Sequence, residues 1–348
     1  MAIKVLIVDD SVLVQQILTS ILSSDPRLEV VGVAEDPYIA RGQIKALNPD
    51  VITLDIEMPR MDGLTFLRNL MRLRPMPVVM VSTLTEAGAE ATLEALSLGA
   101  IDYIEKPKGN LVEGLQVYAD VLIEKVVAAA AANIEPLDQP FLSVSETQPA
   151  TVDVFREQAL IAIGASTGGT EAISRVLSGL PTNCPPVVIA QHIPATFSAS
   201  FAARMDRTHA MQVCLAEHNQ AIRAGHVYIA PGGVHLRVEK RRGRLHCCLD
   251  DSEPVNRHKP SVDMLFHSVA QSWGREALGV ILTGMGADGA KGLLAMKEAG
   301  ATTIAQDEAS SVVWGMPGSS VRLGAVSEQL TLGRIAARIL SWAKATNS

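Results

Sequence analysis

The chain is poor in features that would stabilise it by disulfides, carry it across a membrane or bind it to nucleic acid. Its four cysteines, Cys184, Cys214, Cys247 and Cys248, form no CxxC pair, and two adjacent thiols make a poor framework for a metal or a disulfide. They are expected to be reduced and mostly buried. No apolar run is long enough to cross a bilayer, and the opening MAIKVLIVDD enters a strand pattern with no signal-peptide core. Lys+Arg number 30 against Asp+Glu 37, a net charge of -7, and the basic residues are scattered except at one hairpin tip. That balance argues against nucleic acid as the main partner. The expectation is a soluble cytoplasmic protein with no membrane insertion.

What the chain has is material for cores. Its 348 residues, 48% of them hydrophobic, suffice for two globular domains. The organising stretch is residues 159–175, ALIAIGASTGGTEAISR, a strand-like run, a Gly-framed serine and a helix. Gly164, Ser166 and Gly168 fit the Gly-x-Ser-x-Gly spacing of a nucleophile elbow, whose small neighbours let the backbone turn and expose the hydroxyl. The helix that follows aims its N-terminal amides at the same spot, which suits an oxyanion. It suits a bound phosphate equally well, so the stretch alone leaves both readings open.

The first half alternates strand-like runs, KVLIVDD, EVVGVAE, VITLD, PVVMVS and DYIEKP, with helical segments such as VLVQQILTSIL. Five such alternations imply an α/β fold with a parallel sheet covered on both faces. In that fold the carboxyl ends of the strands form the ligand crevice. Those ends carry Asp9 and Asp10, Asp55, Ser82 and Lys106. Three carboxylates in one crevice need a cation, and a hard divalent ion with oxygen ligands, Mg²⁺, meets that need. Residues 3–125 resemble the receiver domain of two-component response regulators, a flavodoxin-like (βα)5 fold. The resemblance implies that Asp55 accepts the phosphoryl group and that Asp9 and Asp10 hold Mg²⁺ with Asp55 and the Glu57 carbonyl. It further implies that Lys106 meets a phosphoryl oxygen, and that Ser82 and Tyr103 are the switch residues. Such a signal is a population shift, not a reaction on an outside substrate.

Residues 126–157 lose the strand and helix order. The Ala run extends the last receiver helix, and the Pro, Ser, Thr and Gln beyond it form a tether. Domains are therefore expected at 1–125 and 158–348 with a linker at 126–157.

In the second half PPVVIAQH ends at His192, on the strand that follows the serine's helix, so the crevice rule brings both to one surface. VHLRVEKRRGRLHCCLD reads as a hairpin with a basic tip, and NRHKPSVDMLFHSVAQSW as a helix capped by Ser261, with Val262, Leu265, Phe266 and Val269 on its buried stripe. His258 and Lys259 are expected to face a substrate. Residues 277–300 repeat the strand, Gly-rich turn and helix. There Gly284, Gly286 and Gly289 match a dinucleotide fingerprint, with Asp307 where a ribose-binding acid would fall. The competing reading takes Asp288 of the same loop as the acid that orients an imidazole, completing a Ser166, His192, Asp288 triad in an order unlike that of ordinary α/β-hydrolases.

GASTGG, QHIP, APGG, NRHKPSVDMLF and LTGMGADG together resemble the CheB family of chemotaxis protein-glutamate methylesterases, and with the receiver the likeness covers nearly the whole chain. It implies a doubly wound α/β/α catalytic domain with a mostly parallel sheet, the triad just named, and an oxyanion hole from backbone amides near Thr167 and Met285. It implies γ-methyl glutamyl esters of methyl-accepting chemotaxis receptors as substrates, methanol as product, deamidation of receptor glutamines, a chemotaxis histidine kinase as phosphodonor, and an unphosphorylated receiver that covers the active-site crevice. Mg²⁺ belongs to receiver phosphorylation, and ester hydrolysis needs no cofactor. A nicotinamide-binding output domain and a non-catalytic output module are the alternatives.

Overall fold

The computed structural model describes residues 2–83, 85–106, 115–133 and 154–345. The chain divides into two compact units, Met1–Phe141 and Leu142–Ser348.

In the first unit β1 (Ile3–Val8), β2 (Leu28–Ala34), β3 (Val51–Asp55), β4 (Val78–Ser82) and β5 (Asp102–Glu105) alternate with α1 (Val12–Leu22), α2 (Pro37–Leu47), α3 (Gly63–Leu73), α4 (Glu86–Ser97) and α5 (Leu115–Ala130). The strands are Val- and Ile-rich, and β3 and β4 are buried along their whole length, as in a sheet covered on both faces. All pair in parallel in the order β2-β1-β3-β4-β5. Side chains of Ser11, Asp36, Asp62 and Thr85 accept backbone N–H groups at the starts of α1 to α4, which fixes where each helix begins. The Ala run continues α5 as far as Ala130, as its composition suggested. The expected tether lies mostly at 134–153, outside the described residues. Residues 154–156, read as linker in the sequence, pair with the chain's other end: Phe155 bridges Lys344, and the Arg156 amide donates to Ala343 O at 2.9 Å.

The second unit holds β6 (Leu160–Ala165), α6 (Gly169–Leu177), β7 (Val187–Gln191), α7 (Ala195–Thr208), β8 (Gln212–Leu215), β9 (His226–Ile229), β10 (His235–Arg241), β11 (Arg244–Asp250), α8 (Val262–Trp273), β12 (Ala277–Ile281), α9 (Ala290–Glu298), β13 (Thr302–Gln306), α10 (Met316–Arg322), β14 (Glu328–Leu330) and α11 (Leu332–Ala343). Seven strands form one parallel sheet in the order β14-β13-β12-β6-β7-β9-β8. The chain builds outward from β6 in one direction and from β12 in the other. The strand order therefore reverses between those two, and the ligand crevice of such a sheet opens at their carboxyl ends. β10 and β11 form a separate antiparallel hairpin whose tip, Arg242–Gly243, has positive φ at both residues, the geometry that joins strands in two residues. The expected stripe of α8 is fully covered: Val262, Leu265, Phe266 and Val269 have no exposed surface and pack in the core with Leu160, Val188 and Ile281.

Candidate active site

Three strand ends supply the site. Ser166 follows β6, His192 follows β7 and Asp288 lies in the loop after β12. Two backbone hydrogen bonds draw these ends together: Ser166 N donates to Thr283 O at 3.0 Å, and His192 N to Ala165 O at 3.2 Å. The side chains then form one chain of contacts. His192 Nδ1 lies 3.0 Å from Ser166 Oγ, and His192 Nε2 lies 2.8 Å from Asp288 Oδ2. Ser166 is half-buried, His192 nearly covered, and Asp288 buried. Burial thus deepens from the hydroxyl to the carboxylate.

Asp288 sits at the amino end of α8. Its Oδ2 accepts the Val262 amide at 2.6 Å, and its Oδ1 accepts the Ser261 hydroxyl at 2.8 Å, the Asn256 side-chain amide at 2.7 Å and the Asp263 amide at 3.3 Å. Burial alone would raise this carboxyl. The His192 ring, the Asn256 amide and the Val262 N–H outweigh it and hold Asp288 well below the usual carboxylate range. The neighbouring Asp263 goes the other way. Burial raises it despite the Gly292 N–H, and the charge on Asp288 adds to the rise.

The glycine frame works differently from the expectation. Gly164 is needed for space: a Cβ there would meet Val262 Cγ1 at 2.1 Å. The left-handed residue of the turn is Gly168, at φ +71, and Ser166 is not among the positive-φ residues. The carbonyls of the turn are also gripped. Gln191 Nε2 donates to Ser166 O at 2.9 Å, and Thr283 Oγ1 to Thr167 O at 3.0 Å. The Gly284 carbonyl accepts the amides of Gly315 and Met316, so the trans peptide points the Met285 N–H to its opposite side.

Asn256, Ser261, Asp263, Gln191 and Thr283 were not singled out as site residues in the sequence. Their only signals were a cap position for Ser261 and a place beside His192 for Gln191. The dinucleotide reading of the Gly-rich loop loses its acid, since Asp307 Oδ1 accepts the amide and hydroxyl of Ser310 at 3.0 and 2.6 Å and closes its own loop. Lys259 is tied by its ammonium to Asp251, through the carbonyl at 2.9 Å and the carboxylate at 2.6 Å. His258 lies against the ring of His192, beside the serine.

The first unit gathers its own group of charges. Lys106 Nζ is 2.7 Å from Asp55 Oδ2 and 3.2 Å from Asp9 Oδ2. Carboxylate oxygens of Asp9, Asp10 and Asp55 lie within 4.8 Å of one another. Burial raises Asp55 to about 6 against the pull of Lys106, and Asp9 beside it contributes. Burial likewise raises Asp9. Asp9 Oδ2 is shielded from solvent and, although near Lys106, has no well-aligned donor. Crowded, under-satisfied oxygens of this kind fit a hard divalent cation. The Glu57 amide donates to Asp55 Oδ1 at 3.3 Å. The Ser82 hydroxyl is turned onto the Thr83 carbonyl at 3.3 Å, and Tyr103 is buried, with Lys125 Nζ 5.2 Å from its ring centre.

Comparison with known proteins covers both units. The CheB methylesterase family model matches residues 161–339, and the response regulator receiver domain model matches residues 5–116. The protein-glutamate methylesterase/protein-glutamine glutaminase 1 of Xanthomonas campestris pv. campestris is 56% identical over 346 residues, covering 97% of each chain. A protein-glutamate methylesterase/protein-glutamine glutaminase 2 of Saccharophagus degradans is 55% identical over 347 residues, covering 98% of this chain and 99% of its own. Among solved structures, the CheB methylesterase catalytic domain of Thermotoga maritima aligns with a TM-score of 0.53 at 36% identity, covering 54% of this chain and all of that one.

Proposed function

The chain belongs to the CheB methylesterase family, with a response regulator receiver domain ahead of the methylesterase domain, and from that premise we propose a phosphorylation-activated protein-glutamate methylesterase and protein-glutamine glutaminase. It removes methyl groups from γ-methyl glutamyl esters of chemoreceptors as methanol and deamidates receptor glutamines. The observation that carries the mechanism is the unbroken contact from Ser166 Oγ through His192 to Asp288.

Ser166 Oγ forms a bond to the ester carbonyl carbon as its proton passes to His192 Nδ1. Asp288 holds the Nε2–H and stabilises the charged ring. The negative charge on the carbonyl oxygen falls to backbone amides at Thr167 and Met285, near the amino end of α6. Collapse breaks the carbon–methoxy bond, His192 returns the proton and methanol leaves. Water then attacks the acyl-enzyme, gives a proton to Nδ1, and the carbon–Oγ bond breaks to release glutamate and restore Ser166. With a glutamine side chain the same steps expel ammonia. The two activities share one acyl-enzyme, so they need no second site.

In the receiver, Asp55 accepts the phosphoryl group from a chemotaxis histidine kinase. Asp9, Asp10, Asp55 and the Glu57 carbonyl would hold Mg²⁺, which when bound supplies charge neutralisation for phosphoryl transfer. Lys106, whose ammonium lies 2.7 Å from Asp55 Oδ2, pairs with a phosphoryl oxygen, and Ser82 and Tyr103 respond to the new charge. Among the described residues no helix is long and apolar enough to cross a membrane. The proposed setting is the cytoplasm, where the receptor's methylated helices are reached without insertion. The test is methanol release from methylated receptor membranes by wild type and Ser166→Ala. The expected loss is at least about 10⁴-fold. Full activity in the variant would remove Ser166 from the mechanism.

A further inference from the structure

Val255, Asn256, Arg257 and His258 form a tight turn. The Val255 amide donates to His258 O at 3.1 Å, and the His258 amide to Val255 O at 2.9 Å. Both central residues have positive φ, Asn256 at +53 and Arg257 at +68. Two-residue turns with this backbone favour Asn followed by Gly. Asn256 suits its position, but Arg257 carries a Cβ into the left-handed region, which a residue other than Gly, Asn or Asp rarely enters. A strained turn persists where its surroundings hold it, and this one is held at the triad.

Two of its residues engage different triad members. Asn256 Nδ2 donates to Asp288 Oδ1 at 2.7 Å and to Asp263 Oδ2 at 2.8 Å, joining the two carboxylates. The His258 ring lies over His192, with centroids 3.6 Å apart and planes 11° from parallel. The hydrogen bonds of His192 to Ser166 and Asp288 run through its ring nitrogens, in the plane of the ring. They resist rotation within that plane but do little against tilting it. A flat ring against one face supplies the missing restraint and keeps water off that face.

We propose that His258 is a positioning residue for His192, holding the plane of its ring by stacking so that Nδ1 and Nε2 stay aligned with Ser166 and Asp288 throughout proton transfer. This rests on the reading of Ser166, His192 and Asp288 as the triad. The aromatic face, and not a ring nitrogen, is what the role requires. A misaligned proton acceptor costs rate more than substrate affinity, and a displacement of about 1 Å is worth on the order of 100-fold.

The experiment uses the full chain and compares His258→Ala, His258→Phe and His258→Gln by methanol release from methylated receptor membranes and by the rate of Ser166 labelling with a serine-directed phosphonate. His258→Ala is expected to lower kcat roughly 10- to 100-fold with KM changed less than about two-fold, and to slow labelling in parallel. His258→Phe restores both and His258→Gln restores neither. Because Phe and Gln each fill the site, that pair decides the question even if the Ala variant fails to fold. Recovery with Gln but not Phe, an effect confined to KM, or an Ala variant as fast as wild type overturns the proposal. Ser166→Ala run alongside separates the two failures: if it stays active, the triad reading falls, and if it is dead while the His258 variants are normal, only the positioning role falls.

Discussion

The Nδ1 atom of His192, not Nε2, lies 3.0 Å from Ser166 Oγ. In the chymotrypsin-type arrangement Nε2 faces the serine and Nδ1–H the aspartate. Here the ring is used the other way round. The tautomer follows from its partners, because a carboxylate such as Asp288 only accepts, so Nε2 carries the proton and Nδ1 is left to receive one. The chemistry needs an acceptor facing the hydroxyl and a donor facing the acid, and either orientation of the ring provides it.

Asp288→Asn is therefore expected to lower kcat by about 10³- to 10⁴-fold at neutral pH with a small change in KM, since an amide no longer dictates which nitrogen holds the proton. It should also destabilise the second unit. A carboxyl depressed in the fold contributes stability that is present above its ordinary value of 3.8 and lost only as pH falls through its depressed value. The gap in melting temperature between wild type and variant should be full at pH 7 and narrow in strong acid. Steady-state kinetics and thermal unfolding against pH check both parts, and an equally stable variant at pH 7 would contradict the second.

Gly164→Ala tests what the glycine frame is for. The added methyl would meet Val262 Cγ1 at 2.1 Å and Phe266 Cζ at 3.1 Å, both on α8, the helix whose amino end holds Asp288. The expected cost is roughly 1–3 kcal/mol of stability, with slower phosphonate labelling of Ser166 as α8 shifts. A variant as stable and as reactive as wild type would mean that the helix yields freely.

The strand ends were readable in the sequence because their order follows from alternating apolar runs, and a parallel sheet places its polar residues at one rim. Ser166, His192 and Asp288, and Asp9, Asp55 and Lys106, were found that way. What escaped was everything held by approach in space. Asn256 reaches Asp288 across 32 positions, from a turn whose Asn-Arg pair lacks the Asn-Gly signal. Asp263 stands in the first turn of α8, where acids are common, yet its carboxylate accepts the Gly292 amide at 2.6 Å. The Gly284–Gly289 loop also fitted a dinucleotide fingerprint, and the surroundings of Asp307 and Asp288 count against that rival.

Control by the receiver predicts that the catalytic half is faster alone. Removing residues 1–135 should raise basal methanol release above that of the unphosphorylated full chain, and Asp55→Ala should abolish activation by a phosphodonor while leaving that basal rate. A truncated protein no faster than the unphosphorylated chain would show that the receiver activates without first restraining.

Asp55 offers a test that needs no receptor. Its carboxyl is raised to about 6, by burial first and by Asp9 beside it. A carboxyl raised in the fold stabilises where it is protonated, below its ordinary 3.8, and that contribution is lost as pH rises through about 6. At pH 7.5, with divalent ions chelated, ionised Asp55 is thus a liability on the order of 3 kcal/mol. Asp55→Asn should then raise the melting temperature of the first unit by several degrees, and the gain should shrink toward zero near pH 4. Mg²⁺ should reverse the order, because a cation that binds only the folded carboxylates stabilises wild type by mass action and finds one ligand fewer in the variant. Thermal unfolding followed with and without Mg²⁺ reads all of this. A variant less stable than wild type under chelation would show that the Lys106 contact with Asp55 outweighs its burial, the opposite balance to the one argued from the geometry.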